Sequence, residues 1–397
     1  MKKIIYIGFT LLISSSIFSQ IVTREDSLAA GLVSSNSPTV ISGYGNVKYS
    51  NNVTNKTATT NVERFILFVG HKFNKKIAFF SELEIEDVKL EGGAPGGEFA
   101  LEQAFIKFDI NRNNYISAGL LIPRIGIINE NHLPTTFNGN DRPMVEKYVI
   151  PATFREVGVS YYGTSSKIVG LNYSLALLNG MNSANFSAEK GIRGGRYEGA
   201  NANANTLALT GALLYYKNSI RTQLSAYIGG SNTMSTVQAD SLGLSKGVFG
   251  TPVELIEYNI QYKKNGLQLK GLASFINIKD AAKLNSFYGS DVAQNIFGFY
   301  AEAAYNLTHK KDKAFILFSR FENIDMTNKV PSNTLSNKAN NLQFLTSGIS
   351  ILPHPGVMIK LDYSYKLTGV LNSTLVNPLN PYNRVQHTIN VGLGYSF

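Results

Sequence analysis

Three glutamates stand at alternate positions in the stretch FFSELEIE: Glu82, Glu84 and Glu86. On an extended chain, residues i, i+2 and i+4 share one face, so the three carboxylates form a stripe. Such a stripe could ligate a cation or line a wall that meets water. No histidine shares it, so a solvated wall is expected and no metal site. The five histidines are His71, His132, His309, His354 and His387. His71 and His387 fall among apolar alternates, and His309 and His354 fall in short turns. Only His132 is placed to meet a solute. No spacing of Ser, His and Asp suggests a hydrolytic set. Cysteine is absent from all 397 residues, which excludes disulfides, thiolate metal sites and cysteine nucleophiles together. The glycines of 92–97 precede a strand and not a helix, so they are turn glycines and form no phosphate-binding loop. Neither an enzyme nor a cofactor is expected.

The carboxylate stripe requires a strand, and the chain carries many. In the last stretch Val385, His387, Ile389, Val391, Leu393, Tyr395 and Phe397 alternate with Gln386, Thr388, Asn390, Gly392, Gly394 and Ser396. Segments of this period recur from Val40 onwards, sixteen in all, joined alternately by short turns and long loops. Short turns at one end and long loops at the other are the signature of an up-and-down barrel. The expected fold is all-β: a sixteen-stranded antiparallel transmembrane barrel over 40–397. An even strand count brings the last strand beside the first and leaves no open edge. Tyr395 and Phe397 are expected to serve as the signal read by the barrel-insertion machinery.

The N-terminus fits export. Lys2 and Lys3 precede an apolar run, Ile4 to Ile13, and a small-residue end, so 1–20 reads as a signal peptide and 21–39 as a polar lead-in. No later stretch offers the roughly 18 unbroken apolar residues of a spanning helix. The net charge is +10. In an exported chain that excess faces lipopolysaccharide or anionic solutes and not nucleic acid. Tryptophan is absent, but 21 Tyr and 23 Phe suffice for interfacial girdles.

A charged residue facing lipid at mid-depth costs on the order of 2–4 kcal/mol for Lys or Arg. The strand charges therefore belong inside. The expected lumen wall carries Lys48, Arg64, Glu82, Glu84, Glu86, Arg221, Lys270, Arg320 and Lys360, with Lys366, Glu302, Glu322 and Asp362 among them. Sixteen strands leave a lumen too wide for wall side chains to fill, so an aqueous channel is expected. Between the fifth and sixth strands lies PRIGIINENHLPTTFNGNDRPMVEKYVIPATF, residues 123–154, with four prolines. A loop so long and restricted is expected to fold into the lumen. Its charged residues and the one that follows, Arg124, Glu130, His132, Arg142, Glu146, Lys147 and Arg155, would line the constriction. Ile192–Arg196, in another long loop, could dip into the vestibule or contact lipopolysaccharide.

The motifs ISGYGNVKYS (41–50), FFSELEIE (79–86), LEQAFIKFD (101–109), IPRIGIINENH (122–132), RPMVEKYVIPATFRE (142–156) and IRGGR (192–196) resemble those of the phosphate-selective porin O and P family. The resemblance covers nearly the whole mature chain. It implies an outer-membrane porin, often a homotrimer, that passes small hydrophilic solutes by passive diffusion. Phosphate-selective members line the pore with rows of Lys and Arg, whereas here carboxylates accompany the basic residues. A mixed wall discriminates weakly. A weak anion preference is expected, set by Arg124, Arg142 and Arg155 meeting at the constriction. Two other readings are a binding or adhesion barrel with a plugged lumen, and a gated transporter for an apolar substrate. The second would need an apolar plug, which a polar lead-in does not supply.

Overall fold

Where apolar and polar residues alternate, the chain forms strands, and their ladders run on without a break. The computed structural model describes residues 37–87, 98–308, 310, 312–371 and 383–397. Residues 1–36, with the expected signal peptide and most of the lead-in, lie outside these, as do the 92–97 glycines and His309. Sixteen antiparallel strands close into one barrel. The first five are β1 (Thr39–Asn52), β2 (Thr57–Lys72), β3 (Ile77–Glu86), β4 (Glu98–Asp109) and β5 (Asn114–Leu121). After the long segment come β6 (Glu156–Thr164), β7 (Leu171–Asn179), β8 (Leu207–Lys217), β9 (Ile220–Gly229), β10 (Val253–Lys264) and β11 (Leu267–Ile278). The circuit ends with β12 (Asn295–Asn306), β13 (Ala314–Lys329), β14 (Leu342–His354), β15 (Val357–Thr368) and β16 (Val385–Ser396).

Closure is made by β1 against β16, with Tyr44 opposite Ser396 and Asn52 opposite Thr388. Phe397 and Gly43 add reciprocal backbone hydrogen bonds of 2.9 and 3.0 Å. Every strand thus has two neighbours, and no row of unpaired amides faces outward. Among the described residues no helix is long and apolar enough to cross a membrane. The outer face exposes Leu224, Ile256, Ile260, Leu345, Leu361 and Val391 with many others. An apolar belt of this extent is the lipid-facing surface of a barrel.

Two sequence expectations need correction. β1 and β2 run on to Asn52 and from Thr57, so a turn of only four residues, 53–56, joins them at the long-loop end. Asn52 Oδ1 accepts the Asn55 N–H at 2.9 Å, the side-chain mimic of a backbone turn. The second correction concerns the inward face, which is not uniformly polar. Tyr44, Ile66, Phe68, Phe80 and Phe105 point inward from β1 to β4 and are buried. They pack with Ile125, Val145, Val149, Ile150 and Phe154 of the long segment, so the hydrophobic core sits inside the barrel. Burying a side chain of this kind stabilises by roughly 1.5–3 kcal/mol, which is why the segment stays docked against its ordering entropy.

Candidate pore and constriction

Residues 122–155 enter the barrel and cross it. The segment forms little regular structure, with one short helix, α1 (Met144–Tyr148). Its exposed backbone groups therefore need partners, and the wall supplies them. The Glu322 carboxylate accepts the Val145 N–H at 3.0 Å. Glu257 accepts the Gly126 N–H at 3.2 Å. Asp362 accepts from the Asn140 backbone at 2.7 Å and from its side chain at 2.5 Å. Glu302 accepts from Asn138 Nδ2 at 3.0 Å. Basic wall residues donate in turn. Arg320 bonds the carbonyls of Asn138 and Asp141 at 3.2 and 3.1 Å, and Lys360 bonds that of Gly139 at 2.8 Å. Lys48 binds the Asp141 carboxylate at 2.6 Å. The wall charges of β10, β12, β13 and β15 thus serve to hold the segment.

Three inward glycines make room for it. A Cβ at Gly298 would meet Val149 at 2.7 Å, one at Gly394 would meet Pro134 at 2.7 Å, and one at Gly392 would collide with Asn140. The small lumen face of the last strand is a seat for the loop.

The seven residues expected at the constriction are dispersed. Arg124 lies over the Tyr162 ring, 4.4 Å from its centroid, and reaches Tyr115 Oη at 3.4 Å, towards the short-turn end. Glu130 pairs with Arg221. Arg155 pairs with Glu84 at 3.4 Å, Glu98 at 3.4 Å and Glu198 at 2.8 Å. His132, expected to see solute, is fully buried with Nε2 2.9 Å from Glu102 Oε1. Glu146 is also fully buried: its Oε2 accepts the N–H groups of Ile127 and Ile128 at 2.7 and 2.6 Å, and Oε1 accepts Tyr300 Oη–H at 2.8 Å. Arg142 and Lys147 keep solvent exposure. Of the three arginines expected to meet, Arg142 alone lines the cavity on the long-loop side. Of the other wall residues, Arg64 pairs with Glu86 at 3.2 Å and Lys270 with Glu302 at 3.5 Å. Glu82 and Glu84 are buried.

The 180–206 loop also turns inward; the sequence leaves its Ile192–Arg196 stretch open between the vestibule and lipopolysaccharide. Arg193 and Arg196 donate to the carbonyls of Ala152 and Thr153, and Arg196 pairs with Glu198. The IRGGR stretch clamps the end of the constriction segment.

Solvent space remains on both sides of the segment. On the long-loop side a cavity of about 250 Å³ is lined by Arg64, Arg142, Lys147 and Arg193 and by Glu63, Glu86, Asp87 and Asp141. At the short-turn end a cavity of about 680 Å³ is lined by Lys75, Lys76, Lys107, Arg112 and Asp109 beside Tyr115 and Tyr162. The first balances four cations against four anions; the second is basic.

Glu146 couples docking to pH. Burial pushes its carboxyl up to about 7, and its hydrogen-bond donors, Ile128 foremost, hold it from rising further. Released into water, it would return to its ordinary value of 4.5. The docked segment therefore binds this proton more tightly than the released one. Docking is most favoured below the lower value and weakens as pH rises through the higher one. Protease cleavage within the segment should be faster at alkaline than at mildly acidic pH, and Glu146→Gln should flatten that dependence. A variant with the wild-type profile would assign the effect to other groups.

No family model matches the chain. An uncharacterized protein of Aquifex aeolicus (strain VF5) is 31% identical over 337 residues, covering 81% of this chain and 74% of that protein. The outer membrane channel DcaP of Acinetobacter baumannii superposes with a TM-score of 0.56 at 11% identity, over 90% of this chain and 97% of that one. The anion-selective porin from Comamonas acidovorans gives 0.55 at 13% identity, over 90% and 99%. At such identities the likeness shows the fold, that of porin-like outer-membrane barrels.

Proposed function

The chain belongs to the same family as the Aquifex aeolicus protein, and we propose that its barrel is an outer-membrane porin for passive diffusion of small hydrophilic solutes. One observation carries this: a closed barrel with an apolar outer belt holds a charged segment across its lumen, with charged cavities on either side. In this reading ions pass the outer cavity, where Arg142 and Lys147 meet solvent. With four charges of each sign there, ion preference is weak. The basic inner mouth tilts it to anions, since wall charges act within a screening length of about 8 Å. The resemblance to the phosphate-selective porin O and P family supports the channel; the balanced cavity argues against phosphate selectivity. Homotrimers and contact with lipopolysaccharide belong to the same proposal.

Reconstitution into planar bilayers should give ohmic conductance steps. Reversal potentials in a KCl gradient should show a small anion preference that Arg142→Gln reduces. Unmoved potentials would place Arg142 away from the ion path. The docked segment's apolar core favours one other reading, a loop-binding barrel with a sealed lumen. A protein that inserts but never conducts would support that reading and end the first.

A further inference from the structure

The glutamate stripe and the buried histidine, far apart in sequence, meet on the β3–β4 side of the lumen. Glu82 comes from β3, Glu102 from β4 and His132 from the constriction segment; none is more than 2% exposed. One ligand atom of each lies within 4.8 Å of those of the other two. A register shift falls at Glu102. Glu82 pairs with Gln103 while Leu83 pairs with Leu101, so Glu102 is an extra residue, and both it and Gln103 turn inward. Strict alternation would have let only one of these two neighbours face the lumen. Bulges re-aim side chains in this way next to functional sites.

The surroundings orient the carboxylates through neutral donors. Tyr44 Oη–H donates to Glu102 Oε2 at 3.2 Å, and Gln103 Nε2–H donates to Glu82 Oε2 at 3.0 Å. Arg64 pairs with Glu84 and Glu86 and Arg155 with Glu84, Glu98 and Glu198, and both cations also act on Glu102 at longer range. Partners of this kind, hydrogen-bonded to a ligating carboxylate, form the outer shell of metal sites.

We propose that Glu82, Glu102 and His132 bind a first-row divalent cation such as Zn²⁺ or Mn²⁺, which ties the constriction segment to the wall. The donor set selects the class. An imidazole disfavours Ca²⁺ and Mg²⁺, and two carboxylates without a thiolate disfavour Cu(I). The geometry fits with small shifts. Ligands about 2.0–2.2 Å from a metal stand roughly 3 to 4 Å from one another, and Nε2 of His132 is already 2.9 Å from Glu102 Oε1. The segment's carboxylate anchors lie on β10, β12, β13 and β15; this cation would anchor the opposite side.

The site does not depend on conduction, so it is tested on the folded full-length barrel in detergent. Protein stripped with EDTA is titrated with Zn²⁺ and with Mn²⁺, and bound metal is counted by mass spectrometry after desalting. One equivalent per chain is expected for at least one of the two. Tyr44→Phe, which removes an orienting donor, should weaken binding by about 10- to 100-fold. His132→Gln and Glu82→Gln should weaken it at least as much, and His71→Ala, on the outer face, should leave it unchanged. Heat-dependent gel mobility reports folding of each variant. Wild-type protein that retains neither metal, or His132→Gln that binds like wild type, overturns the site; so does loss of binding in His71→Ala. Should the lumen variants fail to fold, wild-type stoichiometry with the His71→Ala control decides.

Discussion

Replacing residues 123–154 with a four-residue glycine–serine turn should raise the single-channel conductance several-fold. Leu121 and Glu156 already face each other across β5 and β6, so the turn can close a hairpin without moving either strand. The ladders that hold the barrel are untouched. What is lost is the plug: Val145, Val149, Ile150 and Phe154, all fully buried, leave the lumen. A sixteen-stranded wall without it encloses an aqueous channel. The exposed inward patch of Ile66, Phe68 and Phe80 should lower thermal stability without opening the barrel. Ion preference should move towards that of the wall, where Glu257, Glu322 and Asp362 lose backbone donors, Glu302 loses the Asn138 amide, and all four meet solvent. Conductance steps in planar bilayers before and after the replacement provide the measurement. Equal steps would mean that ions do not pass the segment at all. A wild-type barrel that is silent and a shortened one that conducts would make the segment a complete seal.

Arg320→Met releases the segment from the other direction. Arg320 is 1% exposed and lies between Glu302 at 3.2 Å and Glu322 at 2.9 Å, while bonding two segment carbonyls. Removing one partner of a buried ionic cluster costs about 3–5 kcal/mol, because the remaining carboxylates stay desolvated. That cost falls on docking, since the ladder bonds of β13 come from its backbone. At about 1.4 kcal/mol per decade, the undocked population should rise by roughly two orders of magnitude or more. Trypsin cleavage at Lys147 in the folded barrel reports that population; Arg142 precedes Pro143 and is not a tryptic site. Adding Glu322→Gln should recover part of the loss, because the pair is coupled. Cleavage that stays within about twofold of wild type would show that Arg320 does not hold the segment.

Alternation determined the fold directly from sequence. Val385 to Phe397 and fifteen earlier segments repeat with period two, and the even count with alternating connection lengths leaves an up-and-down barrel as the arrangement without an open edge. The identity of the long segment was legible too, from its length and prolines. Its partners were not, because hydrogen bonds between a loop and a wall depend on which residues the closed barrel places opposite each other. Gly392 and Gly394 illustrate this: small residues facing a lumen look like room for water, yet here they are room for Asn140 and Pro134. The same holds for Glu302, Glu322 and Asp362, which as sequence are pore charges and as structure are acceptors for the backbone and amide side chains of a docked segment. That Glu102 and Gln103 both face inward was hidden more deeply. A one-residue register shift reverses which face a side chain occupies, and nothing in local period marks where the ladder slips. Only closure of the barrel around the segment brings His132 to that glutamate, because the two are thirty positions apart and belong to elements with no shared periodicity.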